Sequence, residues 1–185
     1  MEGTLLETCN RALVRLGLAR MQSFTEDTAT ARAVDAVLEA VRETVQRGWW
    51  WRFALRRRRL ECGWPAQTPG WNWEHRVPED FLEWCPEAGI ETEMQVEGDR
   101  IWTRGQPVEL RYVARVPDTA QWDPAFADVF VARLALELQP VLAAGADRVV
   151  LQAEYQAAVA GARRANAFER PPVRREADAW LRARL

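Results

Sequence analysis

Three carboxylates, at Glu79, Asp80 and Glu83, are the residues of this chain whose type and spacing come nearest to catalytic chemistry. A pair of carboxylates can hydrolyse a glycosidic bond when one donates a proton and the other acts as base or nucleophile. Acidic residues near the start of a short helical turn commonly do no more than favour the helix dipole. The sequence therefore predicts a protein that is not an enzyme, with glycoside hydrolysis at these residues as the catalytic alternative.

The chain carries none of the other common catalytic, metal or nucleotide signatures. Ser23 is the only serine and is not part of a GxSxG motif, and no Gly-rich phosphate-binding loop is present. His75 is the only histidine, which excludes a metal site built from several histidines. The chain has three cysteines, Cys9, Cys62 and Cys85. Because their number is odd and no two have CxxC spacing, we expect reduced thiols. The sequence predicts no cofactor and no metal.

Four consecutive arginines, at positions 56–59, could contact the phosphates of DNA. On a strand, Arg56 and Arg58 would face one side and the other two arginines the opposite side, which is typical of a charged edge strand that resists aggregation. The whole chain has 25 basic and 27 acidic residues, and its net charge of −2 argues against general affinity for nucleic acid. A small nucleic-acid-binding protein that uses this run is a second alternative.

Tryptophan is unusually frequent, with ten residues in a chain of 185. Trp49, Trp50 and Trp51 are consecutive, so they cannot all face one core. Indoles bury large areas and are enriched where proteins contact one another. We therefore expect at least one of the three to contact a partner or the β-rich part of the chain.

Hydrophobic periodicity predicts four helices. They are residues 4–18, a segment capped by Asp27 or Thr28 and ended by Gly48, a segment opened by Asp123 and Pro124, and residues 147–167. Thr4 is expected to cap the first helix, and Val150 is expected among the buried residues of the fourth. Each helix has one apolar face, which predicts that they pack together.

The β-rich part lies between the second and third helices. Residues 90–116 are predicted to form three or four antiparallel strands, with a turn at residues 97–99. Residues 61–78 are expected to form an ordered loop and residues 77–82 a short helical turn. Beyond Phe168, two prolines end the last helix, and the final 13 residues are too few to hold a helix without a partner.

The predicted fold is mainly α with an inserted antiparallel β region (α+β), in the form of a four-helix bundle, a β insertion and an extended C-terminal tail. Residues 1–59 and 117–168 would form the bundle, residues 60–116 the insertion and residues 169–185 the tail.

Several short motifs, taken in order, resemble the head-to-tail adaptor proteins of short-tailed bacteriophages, also called tail tubular protein A, connector or head-completion proteins. The sequence GWWWRFA at residues 48–54 is similar to the W-x-F-A pattern that closes the long helix in that family. The resembling positions are 10–13, 16–17, 27, 31, 48–54, 60, 73–82, 96–101, 110–113, 118, 122–126 and 134–138. The tail beyond Phe168 is similar only in being short, basic and aromatic near its end.

The resemblance implies a structural virion protein at the head–tail junction, assembled in the cytoplasm of the bacterial host. It implies a homo-oligomeric ring, usually of twelve copies, that sits under the portal, continues the DNA channel for genome ejection and docks the tail nozzle or tail tube. DNA would pass through without sequence recognition. A tail-associated peptidoglycan hydrolase is the enzymatic alternative within this resemblance.

The interaction sites follow from this assignment. The expected subunit or tail contacts are Trp49, Trp50, Trp51, Arg56, Arg58 and Trp102. The expected portal-docking residues are Arg174, Arg175, Trp180, Leu181 and Leu185.

Overall fold

The structure, a computed structural model, describes residues 2–86 and 93–168. The helices are α1 (Glu2–Arg15), α2 (Ala29–Arg47), α3 (Pro124–Leu142) and α4 (Arg148–Phe168). The strands are β1 (Leu55–Leu60), β2 (Trp64–Pro65), β3 (Trp73–Arg76), β4 (Phe81–Trp84), β5 (Met94–Glu97), β6 (Arg100–Thr103) and β7 (Val108–Ala114). Short 3-10 turns precede β1 at Arg52–Ala54 and α3 at Thr119–Gln121. None of the described helices combines the length and apolar character needed to cross a membrane.

Local signals in the sequence set the ends of α2 and α3. The Thr28 hydroxyl accepts a hydrogen bond from the backbone N–H of Ala31 at 3.1 Å, so Thr28 caps α2, and Gly48 closes this helix as predicted. The Asp123 carboxylate caps α3 directly before Pro124, which occupies the first helical position. The first residues of both helices could be predicted because each depends on a capping side chain next to the helix.

Two local expectations are wrong. The first helix begins at Glu2 and not after a cap at Thr4, so Thr4 lies within its first turn. Val150 is not part of the core of α4, since its side chain is 51% exposed. The next residue, Leu151, is buried instead, because that side of α4 faces α3.

Helix α3 forms the centre of the helical part. From Phe126 to Leu138, most of its apolar side chains are buried, including runs of consecutive residues, as expected for a helix that is hydrophobic all round. Helices α1, α2 and α4 each pack against α3. In a four-helix bundle, by contrast, each of the four helices contributes one stripe to a shared core.

The predicted four-helix bundle is therefore wrong. Three helices surround a fourth, and two antiparallel sheets lie beside them. With 48% of the residues in helices and 20% in strands, the fold is an α+β mix. The expectation failed because the periodicity of a single helix shows how much of it is buried but not which neighbours bury it.

The seven strands form an inner sheet in the order β1-β7-β4 and an outer sheet in the order β2-β3-β6-β5, both antiparallel. On β7, Val113 faces the helical core, whereas Leu110 and Tyr112 face the core between the two sheets. This alternation follows the period of two in its sequence VELRYVA. The inner sheet thus lies between the helices and the outer sheet.

The expected hairpin is confirmed, because β5 and β6 pair around a turn in which Gly98 has a φ of 58°. Two other expectations for this region are wrong. The predicted loop at residues 61–78 contains β2 and β3. In place of the predicted helical turn at residues 77–82, a non-helical turn at Glu79 and Asp80 leads into β4, which begins at Phe81. These strands have only two to four residues each, which is too short for a periodic pattern to be recognised.

The side chain of Gln46 joins α2 to the chain that leaves the inner sheet. It is fully buried, donates to the backbone oxygen of Val116 at 2.8 Å and accepts from the Val116 N–H at 3.1 Å. The indole N–H of Trp122 donates to the same backbone oxygen at 2.9 Å. Because Val116 lies just beyond β7, these bonds fix the path from the sheet toward α3.

Replacing Gln46 with methionine should lower the free energy of unfolding by about 1–3 kcal/mol, because the buried Val116 N–H loses its partner. The matched control is Gln152→Met on the exposed side of α4, which should change stability by less than about 0.5 kcal/mol. Urea denaturation of the two variants measures the difference. Equal stability of the two variants would show that Gln46 does not hold the sheet to α2.

His75 lies in the core between the two sheets. Its side chain is 3% exposed, and its Nε2 atom is 3.3 Å from the hydroxyl oxygen of Thr103. Gly63 approaches so closely that a Cβ at that position would lie 2.8 Å from the imidazole Cε1 atom. Burial lowers the pKa of His75 below its usual value of 6.5, because the charged imidazolium is poorly solvated there.

The lowered pKa of His75 makes the stability of the fold depend on pH. Between the folded pKa and 6.5, the unfolded chain binds more protons than the folded one, so the free energy of unfolding rises with pH. The contribution of His75 is complete above pH 6.5 and is lost as the pH falls through the folded value. Urea unfolding should therefore show lower stability at about pH 5.5 than at about pH 7.5, and a smaller difference in His75→Gln. An identical pH dependence in both proteins would contradict this.

Candidate interaction surfaces

The three consecutive tryptophans that follow α2 have three different environments. Trp51 is 3% exposed, its indole N–H donates to the backbone oxygen of Val45 at 2.9 Å, and its ring meets Phe126 edge-on. Trp49 is half-buried. Trp50 is 37% exposed, so it is the indole of the three with most surface left for a partner.

The C-terminal end of α4 fastens this tryptophan segment to the helices. The guanidinium of Arg163 lies over the ring of Trp49, 4.4 Å from its centroid. The Asn166 side chain accepts from the N–H of Arg52 at 3.0 Å and donates to the backbone oxygen of Trp50 at 3.3 Å. The backbone that carries Trp50 is thus held from both sides, which presents its indole in a fixed position.

Strand β1 carries the arginine run along one edge of the inner sheet, in agreement with the charged edge strand predicted from the sequence. The Arg56 guanidinium donates to the backbone oxygens of Phe53 and Leu55 at 2.7 and 3.1 Å. Arg59 forms an ion pair with Glu61 at 2.9 Å. Arg56 and Arg59 are therefore engaged by their own chain, which reduces the positive charge available to phosphates.

An open cleft with a volume of about 740 Å³ lies between the edge of the inner sheet and the outer sheet. Arg58 and Arg76 line it together with Glu79, Asp80 and Asp99. These side chains carry charges of both signs, so the cleft does not select strongly for an anion or a cation.

Of the three carboxylates considered for catalysis, Glu79 and Asp80 line the same cleft. Asp80 accepts a hydrogen bond from the Tyr112 hydroxyl at 3.0 Å. Burial and this hydrogen bond raise the pKa of Tyr112 to about 12, so the phenol stays protonated. Glu83 instead forms an ion pair with Arg47 of α2 at 2.9 Å.

The thiols show no arrangement for chemistry in the described residues. Cys9 and Cys85 are buried and Cys62 is exposed, and none of the three forms a disulfide. Burial raises the pKa of Cys9 to about 12, so its thiol is protonated and unreactive near neutral pH. Within residues 2–86 and 93–168, no three potential metal ligands lie together.

The predicted contact residues belong to three elements of the fold. Trp49, Trp50 and Trp51 follow α2, and Arg56 and Arg58 lie on the edge strand β1. Trp102 lies on β6 of the outer sheet, opposite Glu74 of β3. Arg174, Arg175, Trp180, Leu181 and Leu185, predicted to dock on the portal, lie outside the described residues.

Sequence reasoning missed a group of exposed apolar side chains on either side of the turn between α3 and α4. Val141, Val149 and Val150 are 74%, 77% and 51% exposed. One signal was present, because adjacent residues of a helix such as Val149 and Val150 cannot both face the core. Exposed apolar groups of this kind often mark sites of protein contact.

The chain matches no known protein-family model, and comparison with curated proteins gives no match.

The environments of Trp50 and Trp51 predict different outcomes for the same substitution. Trp51→Ala should lower the free energy of unfolding by about 3–5 kcal/mol, because it empties a core site and removes the hydrogen bond to Val45. Trp50→Ala should lower it less, by about 1–2 kcal/mol, because more of this indole is exposed and no hydrogen bond of its ring is lost. Chemical denaturation followed by circular dichroism measures both. A loss in Trp50→Ala as large as that in Trp51→Ala would place that indole in the core instead.

Proposed function

We propose that this chain is a structural head-to-tail adaptor of a tailed bacteriophage. Copies of it form a ring under the portal that extends the DNA channel and docks the tail nozzle or tail tube. The observation that carries the proposal is the ordered series of motifs from residue 10 to residue 138, and above all GWWWRFA at residues 48–54. In the fold, this motif spans the passage from α2 to the inner sheet.

The distribution of exposed apolar side chains supports a ring. A subunit of a closed ring contacts its two neighbours through two different surfaces, each of which is exposed before assembly. Trp50, which is 37% exposed, and the valines around the turn between α3 and α4 give the chain apolar surface in more than one place. Such a distribution suits a protein that is covered on more than one side in its working state.

The proposed role involves no catalysis. A hydrolase that uses Glu79, Asp80 or Glu83 finds little support, because Glu83 pairs with Arg47 and Asp80 accepts a bond from Tyr112. DNA would pass through the channel without recognition of its base sequence. In line with this, Arg56 and Arg59 are engaged within the chain and the net charge is −2.

The proposed site of action is the head–tail junction of the virion, after assembly in the host cytoplasm. Residues 169–185 are proposed to dock on the portal. Trp50 and the edge strand β1 are proposed to contact neighbouring subunits or the tail. Trp51 serves these contacts indirectly, because its buried ring positions the segment that presents Trp50.

Deleting residues 169–185 should weaken binding to the purified portal of the same virus by about a hundredfold or more, because an interface depends on a few aromatic and arginine anchors. Co-sedimentation and electron microscopy of the mixture measure binding and the attachment of a ring. The folded part should keep its circular dichroism spectrum and its unfolding midpoint. A Val14→Ala variant, altered at an exposed position of α1, serves as the control for portal binding.

Portal binding that survives the deletion unchanged would contradict the docking role of the tail. Clearing of a cell-wall zymogram that disappears in Glu79→Gln would favour the hydrolase instead. Tight DNA binding that weakens steeply with salt would favour the nucleic-acid-binding alternative.

A further inference from the structure

The outer sheet presents a row of side chains in direct register on the face turned away from the inner sheet. Trp64 of β2 lies opposite Glu74 of β3, and Glu74 lies opposite Trp102 of β6. Gln95 of β5 completes the row opposite Trp102. Directly opposed residues on antiparallel strands point to the same side of a sheet. The alternate position on β6, Ile101, is buried between the sheets, so the row faces outward.

The row has two aromatic rings with a carboxylate between them. Trp64 and Trp102 are two strands apart, which places their backbones about 10 Å from each other. Trp64 is 59% exposed, and Glu74 and Trp102 are half-buried. Because all four strands are paired, the backbone positions of this row are fixed before any ligand binds.

The ionised groups beside the indoles largely neutralise one another. Arg100 pairs with Glu74 at 2.9 Å and with Asp99 at 3.4 Å. Arg104 pairs with Glu93 at 3.3 Å. The row therefore offers hydrogen-bonding atoms and aromatic faces without a strong electrostatic potential of either sign, and this favours an uncharged ligand.

We propose that this face binds an uncharged polysaccharide with a flat ring surface, a β-1,4-linked chain of glucose or N-acetylglucosamine units. The face of an indole is the negative part of its quadrupole and attracts the axial C–H groups of a pyranose whose substituents are equatorial. Glu74 accepts hydrogen bonds from sugar hydroxyls, and Gln95 both donates and accepts them. Because the two indoles are about 10 Å apart, two sugar units separated by one further unit stack on Trp64 and Trp102. The hydroxyls of the chain reach the polar side chains between and beside the rings.

The same features disfavour the two other classes of ligand that use aromatic side chains. Single-stranded nucleic acid stacks on aromatic rings but also requires an excess of positive charge along its path, which the paired ions of this face do not supply. A protein partner would be expected to cover a more continuous apolar core than two indoles separated by a carboxylate. The sugar-binding face is independent of the proposed ring, since it needs only one folded subunit.

The test is isothermal titration calorimetry of the full chain with cellohexaose and with chitohexaose. We expect one of the two to bind in the sub-millimolar range. Trp64→Ala should weaken that binding about tenfold or more, since truncating a central aromatic anchor has an effect of this size. Glu74→Gln keeps the size of the side chain and should weaken binding less, because the amide oxygen still accepts. Val149→Ala, on α4 and 77% exposed, should leave binding unchanged.

Circular dichroism of each variant shows whether it is folded, and Trp64→Ala should be, because most of that side chain is exposed. Trp102→Phe provides a second test of the row that retains an aromatic face. Absence of heat with both hexasaccharides would overturn the proposal. Binding that Trp64→Ala and Trp102→Phe both leave unchanged would place the sugar elsewhere and overturn it equally. Saturable binding of an oligodeoxythymidine in place of either sugar would assign the row to nucleic acid.

Discussion

The ring of Phe126 holds together two segments that are far apart in the sequence, residues 51–53 and 122–126. Trp51 and Phe53, from the segment between α2 and β1, meet it edge-on at centroid distances of 5.2 and 4.7 Å. Trp122, from the turn before α3, meets it at 5.0 Å. Aromatic pairs add about 0.5–1.5 kcal/mol each beyond the area they bury, so the three contacts add a few kcal/mol to a typical total of about 5–15. The segment that leads into the inner sheet and the segment that leads from it to the central helix therefore both pack against the buried ring of Phe126.

Strand β7 connects the helical core to the core between the two sheets. Its residue Val113 belongs to the helical core, while Leu110 and Tyr112 belong to the core between the sheets. A shift of its pairing by one residue would exchange these faces and expose both sets. The register of β7 with β1 thus connects the helices to the outer sheet, and the Trp64–Glu74–Trp102 row depends on helical packing that it never touches.

Elements with long periodic patterns or with a capping side chain could be predicted from the sequence. The helix that ends at Gly48, the helix that begins after Asp123 and the hairpin around Gly98 are of this kind. The central position of α3 could not be deduced, because it depends on which helices share its surface. The strands from β2 to β4 were missed for their shortness. The row of outward-facing side chains could not be predicted for a different reason. Trp64, Glu74 and Trp102 are neighbours only through the pairing register of the strands, and this register produces no pattern in the local sequence.

The way in which arginine side chains are engaged within the chain explains why a protein with many charged residues has little uncompensated positive charge on its surface. Arg56 bonds to two backbone oxygens, Arg163 lies over an indole and donates to a backbone oxygen, and Arg100 joins two carboxylates. Each contact uses the planar, many-donor guanidinium, which the point charge of a lysine would serve less well. A subunit with its cations engaged in this way grips a polyanion weakly. If the chain lines a DNA channel, as proposed, these internal contacts are what would let the genome slide past, and neutralising Arg56 would disturb β1 more than it would change the channel.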